Sequence, residues 1–183
     1  QLAKENHYPM SNKVEIIDLG INYLGLDVAP FLKKLIYRPI KMLKHWRKLS
    51  TTLCKVNADI VISMYTKDEY ILPMINDNSK KILEMHTSRY NLIEGRRKLG
   101  LLAYFFNKLD DFFINKYDKF VVQTNEDKAY WKSIKEVNVI PNANTFQGKI
   151  RSSLQNKVAL AVGRYSHQKR FDDLIEVWRE INK

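Results

Sequence analysis

The feature that most constrains this chain is a repeated change of rhythm. Short runs of apolar and β-branched residues recur as "DIVISM" at Asp59–Met64, "KILEM" at Lys81–Met85, "KFVVQ" at Lys119–Gln123, "VNVI" at Val137–Ile140 and "VALAV" at Val158–Val162. "VEIIDL" at Val14–Leu19 reads the same way. Such runs have the length of strands. Between them lie segments with helical spacing, expected over Phe31–Leu53, Tyr65–Ile75, Leu99–Tyr117, Thr124 to about Ile134, and Arg170–Ile181. Pro39 is expected to kink or split the first of these, and Pro73 to shorten the second. Thr124 is an N-cap candidate with Asp127 three residues on.

Strands that alternate with helices imply a parallel sheet covered by helices, so the fold class expected is α/β and Rossmann-like, with helices on both faces. Ligands of such sheets bind beyond the carboxyl ends of the strands. The loops that matter are therefore those after Met64, Met85, Gln123, Ile140 and Val162.

One of those loops has chemistry of its own. "VALAVGRYSHQKRFDDLI" runs from strand to helix through Gly163, Arg164, Lys169 and Arg170. Gly163 permits a tight turn. A helix N-terminus favours anions through its free N–H groups and dipole. Arginine grips phosphate with two parallel hydrogen bonds, and lysine adds a point charge. The loop reads as a diphosphate cradle or, equally, as a solvated basic loop. His86 follows an apolar strand and precedes polar Thr87, Ser88 and Arg89, where imidazole can donate, accept or carry charge near neutral pH. A lone histidine is more often structural. His167 lies in the basic loop. His7 and His45 show no partner pattern, and the four histidines lack metal-ligand spacing.

No Asp stands two residues from another Asp, so an Asp-x-Asp metal motif is absent. Asp110-Asp111 and Asp172-Asp173 are helix neighbours whose side chains point in different directions. Neither a metal nor a cofactor is expected, and Arg and Lys must supply the positive charge.

Charge is the next constraint. The chain carries a formal net charge of +11. Nucleic acid, an anionic membrane surface and a phosphorylated substrate all fit that sign. Phe31–Lys55 holds eight of the basic residues (Lys33, Lys34, Arg38, Lys41, Lys44, Arg47, Lys48 and Lys55) and no acid. The same span carries the apolar stripe Leu32, Leu35, Ile36, Ile40, Leu43, Trp46, Leu49 and Leu53. That stripe is expected to pack on the sheet, while the charges can draw the domain toward anionic lipid. No apolar run approaches the ~20 residues of a membrane span. The opening "QLAKENHYPM" lacks the apolar core of a signal peptide and an initiator Met, so the chain is expected to begin inside a longer gene product. Cys54 is alone, which fits a reducing cytoplasm.

The motifs resemble, in order, those of family 4 glycosyltransferases. "AVGRYSHQKRFDDLIEVW" looks like the start of that family's C-terminal domain, with Arg170 where the family usually has Gly. "NADIVISM" resembles its Pro-Asp strand segment, with Ala58 in place of Pro. "ILEMHTSR" resembles its strand ending in an active-site His, and "DKFVVQT" with "VNVIPNANTF" resembles its last N-domain strand and Pro-Asn turn. The resemblance implies a GT-B fold, two Rossmann-like domains facing across a cleft. It implies an N-terminal acceptor-side domain over residues 1–146 lacking its first strand, a linker over 147–157, and the truncated start of a nucleotide-sugar-binding domain over 158–183. It further implies sugar transfer from a nucleotide-sugar, with retention, to a glycan or lipid-linked acceptor in bacterial surface-polysaccharide synthesis. His86 would be the catalytic-site residue, Arg164 and Lys169 would hold the donor diphosphate, and Gly163 would shape the donor loop. The chain by itself is expected to be inactive, cytoplasmic, and peripheral on the inner face of the plasma membrane if residues 31–55 engage lipid. A basic α/β nucleic-acid-binding module is the alternative. It would need exposed aromatics among the basic residues, and no nucleic-acid signature is found. A non-catalytic domain that dimerises through the truncated second domain is a third reading.

Overall fold

The computed structural model describes residues 11–66, 68–143, 153, 155, 158–165 and 169–181. The chain divides into two compact units, residues 1–143 and 144–183.

In the first unit a short helix α1 (Leu24–Asp27) leads into the long helix α2 (Phe31–Val56). There follow β1 (Ile60–Met64), a 3-10 turn (Leu72–Met74), β2 (Lys80–Glu84), α3 (Arg89–Arg96), a second 3-10 turn (Arg97–Leu99), α4 (Leu101–Ile114), β3 (Lys119–Val122), α5 (Asn125–Tyr130) and β4 (Val137–Val139). The four strands form one parallel sheet in the order β1-β2-β3-β4, flanked by helices, as the alternation of rhythms predicts. Met85 N–H donates to Val121 O and Ile140 N–H to Val122 O, both at 2.9 Å, which carries the ladder to the strands' carboxyl ends.

The core lies against one face of this sheet. Leu83, Phe120, Val122 and Val137 meet Leu72, Met85, Ile114, Tyr117, Trp131 and Ile134. Full burial of such side chains is worth roughly 1.5–3 kcal/mol each. On the other face, Ile60, Ile62 and Met64 of β1 are more than half exposed.

Several expected elements come out differently. Val14–Leu19 is no strand, because no described strand offers it a ladder of hydrogen bonds. It instead runs beside α2, where Lys48 Nζ donates to Leu19 O at 2.6 Å. The helix expected over Tyr65–Ile75 is reduced to the turn at Leu72–Met74. Asp68 there accepts from Ser63 Oγ at 2.6 Å and Thr66 Oγ1 at 3.0 Å, and these bonds favour a bend. The helix opened by Thr124 stops at Tyr130, because Trp131 turns into the core, 4.8 Å from Phe120 between ring centres. Helix α3, not expected from the sequence, is capped by Ser88, whose hydroxyl accepts from Tyr90 N–H at 3.1 Å.

Pro39 does not split α2. It lies on an exposed turn, where water can satisfy the carbonyl that its missing N–H would have bonded. The stripe of α2 packs on the core only at Leu49 and Leu53. The reason is length: 26 helical residues span about 39 Å, whereas five strand residues span only about 17 Å. Among the described residues, no helix is long and apolar enough to cross a membrane.

In the second unit the described structure is helix α6 (Phe171–Ile181) and the segment before it. Val158–Val162 is exposed and not a strand, since a strand requires a partner and this unit has none among its described residues. Apart from residues 153 and 155, the expected linker lies outside the described residues, as do His7 and His167.

Candidate functional site

Parallel strands bring their carboxyl ends to one edge, and three polar side chains gather there. His86 stands just after β2, Gln123 just after β3 and Asn142 just after β4. Gln123 Nε2 lies 2.5 Å from His86 Nδ1 and 2.8 Å from Asn142 Oδ1. On the other side of the ring, His86 Nε2 lies 3.2 Å from Glu84 Oε1.

These contacts define a consistent proton arrangement. The Gln123 amide has two hydrogens, one for Asn142 Oδ1 and one for a bare Nδ1 on His86. The ring's hydrogen then sits on Nε2 and is donated to the Glu84 carboxylate. The imidazole is held from both edges, yet its side chain remains 37% exposed, so a ligand can reach it. It borders an open depression of about 310 Å³ lined by Met85, Thr87, Ser88, Gln123, Thr124, Glu126 and Asp127.

A buried ionic cluster anchors the loop that carries His86. Arg89 N–H donates to Asp127 Oδ1 at 2.8 Å. The Arg89 guanidinium lies 4.1 Å from the Trp131 ring centre and reaches Asp110 at 3.4 Å and Asp111 at 2.9 Å. Arg96 binds the same Asp110 carboxylate at 2.5 Å. The Tyr70 hydroxyl also donates to Asp110, and burial together with this bond pushes the phenol well above its ordinary value. Asp110 is fully buried and Asp111 accepts from Ser133 Oγ at 2.6 Å, so both adjacent carboxylates are occupied in tying helices together. Asp127 fills the place expected after the Thr124 cap, its N–H bonded to Thr124 Oγ1 at 3.0 Å.

Glu84, Gln123, Asn142 and Arg89 were not legible as a group in the sequence. The available signal was positional, since the first three lie at or just beyond strand ends. His45, which shows no sequence pattern, is paired with Tyr23 Oη at 3.3 Å, and burial lowers its pKa.

The second unit places the basic-loop residues by themselves. A side chain at Gly163 would start 3.3 Å from the Phe171 ring and 3.7 Å from Lys169 Cγ, so glycine there lets the two ends of the loop approach. Arg164 and Lys169 are exposed. Arg170 adopts φ +47°, in the left-handed region that favours glycine. It forms an ion pair with Asp173, and its carbonyl accepts from Leu174 N–H at 3.2 Å.

Comparison with known proteins gives two similar sequences. An uncharacterized glycosyltransferase of Haemophilus influenzae is 29% identical over 172 residues, covering 91% of this chain and 45% of the relative. The amylovoran biosynthesis glycosyltransferase AmsD of Erwinia amylovora is 34% identical over 87 residues, covering 42% of this chain and 24% of the relative. The chain thus spans less than half the length of these curated relatives. No family profile matches it, and no solved structure does. Both relatives are named glycosyltransferases, and that class is where the similarity points.

Proposed function

We propose that this chain forms part of a family 4, retaining glycosyltransferase with a GT-B fold. In this reading residues 1–146 form the acceptor-side domain and residues 158–183 open the nucleotide-sugar domain. The enzyme moves a sugar from a nucleotide-sugar to a glycan or lipid-linked acceptor, in the cytoplasm, as a step of bacterial surface-polysaccharide synthesis. The observation that carries the reading is the placement of His86. It stands at the carboxyl edge of a parallel sheet, held from two sides beside an open depression, at the position where the motif order expects an active-site histidine.

The reaction breaks the bond between the donor sugar's anomeric carbon and the diphosphate oxygen. It forms a bond from the same carbon to the acceptor hydroxyl oxygen, and the hydroxyl proton is released. Negative charge gathers on the departing nucleoside diphosphate. Arg164 offers two parallel donors to it and Lys169 a compact cation, so the positive charge opposite the leaving group comes from side chains. His86 is a positioning contact for the sugar. A hydroxyl entering the depression can donate to Nδ1 in place of the Gln123 amide, while Glu84 keeps the ring's orientation through Nε2.

The test is nucleoside-diphosphate titration and transfer kinetics on single variants of the full-length protein. Arg164→Ala and Lys169→Ala are each expected to weaken diphosphate binding and lower transfer, an effect of order 2–4 kcal/mol on the transition state. Arg164→Lys restores only part, lacking the bidentate grip. His86→Ala is expected to lower kcat with little change in thermal midpoint. Wild-type binding and turnover in all three Ala variants would remove the reading.

A further inference from the structure

At the carboxyl edge of the sheet, the Gln123 amide is held in one orientation by two acceptors. Its Nε2 lies 2.8 Å from Asn142 Oδ1 and 2.5 Å from His86 Nδ1. The amide nitrogen carries two hydrogens and the amide oxygen none, so Nε2 must face both partners. Glu84 sets the other half of the pair. It takes the ring hydrogen at Nε2, 3.2 Å away, and so leaves Nδ1 bare. The sheet makes that setting rigid. Glu84 stands in register with Met64 of β1 on one side and Val121 of β3 on the other, and its carbonyl accepts from Tyr65 N–H at 2.9 Å.

Two unlike groups therefore stand side by side at the depression, an amide N–H that gives a hydrogen bond and an imidazole nitrogen that takes one. In the free protein they satisfy each other. A ligand that parts them must replace both ends of that bond. A hydroxyl does so with a single oxygen, donating to Nδ1 while accepting from Gln123 Nε2. A bare C–H offers neither bond, an ether oxygen accepts without donating, and a carboxylate has no hydrogen for Nδ1. A carboxylate also meets charges of its own sign, Glu84 beside the ring and Glu126 in the lining of the depression. Gln123 is half-buried and Asn142 exposed, so the pair has room to step back and admit an oxygen.

We propose that Gln123 is a specificity-determining residue. Together with His86 it reads one hydroxyl of the transferred sugar, and it makes the site require a free hydroxyl there in place of a deoxy, ether or carboxylate group. This rests on the transferase reading, because it takes the depression to hold that sugar. Glu84 and Asn142 are positioning residues, the first for the tautomer of the ring and the second for the orientation of the amide.

The first measurement needs no substrate. Proton–nitrogen correlation NMR of the chain at mildly alkaline pH, with the His86 ring assigned by comparison with His86→Gln, is expected to show the ring hydrogen on Nε2. In Glu84→Leu the neutral ring is expected to populate both tautomers. A ring hydrogen on Nδ1 in the wild type overturns the proposal, whatever the enzyme does. The second measurement is calorimetric binding of UDP-glucose, UDP-galactose and GDP-mannose to the full-length protein, followed by the monodeoxy analogues of the tightest binder. One analogue is expected to bind wild type on the order of 100-fold more weakly than its parent. In Gln123→Leu that deficit is expected to shrink to about tenfold, because the hydroxyl keeps only its bond to Nδ1. Binding of the nucleoside diphosphate alone should be unchanged in Gln123→Leu, which shows the variant folded. A deficit of equal size in both proteins, or equal binding of every monodeoxy analogue to wild type, overturns this proposal and leaves the transferase reading standing. Failure of all these donors to bind removes the transferase reading, and this proposal with it.

Discussion

Arg170 shows how one residue can occupy a backbone conformation that suits another residue type. The position takes φ +47°, where glycine is at ease and a side chain costs about 1 kcal/mol or somewhat more. The Arg170–Asp173 ion pair offsets part of that cost, although both side chains are largely exposed and such pairs contribute little. Arg170→Gly is expected to leave α6 intact and to change stability by no more than about 1 kcal/mol, with relief of strain opposing the added freedom of the unfolded chain. Amide exchange in Leu174–Ile181 would check this. Loss of protection across the helix would show that the guanidinium, and not the backbone, holds its start.

At the scale of elements, the cluster around Asp110 joins α3, α4 and the loop before β2. Asp110 takes both Arg89 and Arg96, and Arg89 also takes Asp111 and lies over Trp131. Removing one partner leaves a buried carboxylate short of charge, a loss of roughly 3–5 kcal/mol for buried pairs. Arg89→Leu is expected to destabilise by that order in denaturant unfolding. Arg89→Lys should not rescue it, because one ammonium cannot serve two carboxylates and stack on an indole. Asp118 performs a smaller task at the opposite edge of the sheet. It accepts from Lys81 N–H at 2.8 Å and from Lys80 Nζ at 3.1 Å, and these hold its carboxyl below the ordinary range. A carboxyl with a lower pKa in the folded state stabilises the fold above its unfolded value, near ~3.9, and that contribution is lost as pH falls through the folded value. Asp118→Asn is therefore expected to be less stable than wild type at neutral pH, with the gap closing as pH falls through that window. Urea midpoints measured against pH would show the convergence, and a constant gap would count against it.

At the scale of the whole molecule, the buried hydrophobic residues among those described all lie between Leu26 and Val137, inside the first unit. Residues 1–143 expressed alone are expected to unfold cooperatively, with the thermal midpoint that the sheet and its helices show in the full chain. A broad, non-cooperative transition would mean that residues 144–183 are needed for the first core. The relatives' lengths set the frame for any assay of activity, since this chain aligns with 45% of one and 24% of the other.

The parallel α/β class, the four paired strands and the histidine at a strand end were legible in the sequence. Each depends on local pattern: apolar runs of strand length, helical spacing between them, and Thr124 capping a helix. The rest depended on what stands beside each segment. Val14–Leu19 and Val158–Val162 have strand composition, yet a strand exists only when a neighbour completes its hydrogen bonds, and composition cannot supply the neighbour. The stripe of α2 looks like a core face along its whole length, but a helix of 26 residues overruns a sheet of five-residue strands, and only the tertiary structure shows where the overrun begins. Glu84, Gln123 and Asn142 lie far apart in the chain and became partners of His86, directly or through Gln123, because parallel strands in register deliver their ends to one edge. Periodicity carries a residue's own preference for an element, whereas pairing and cover are properties of two segments at once, which the fold alone brings together.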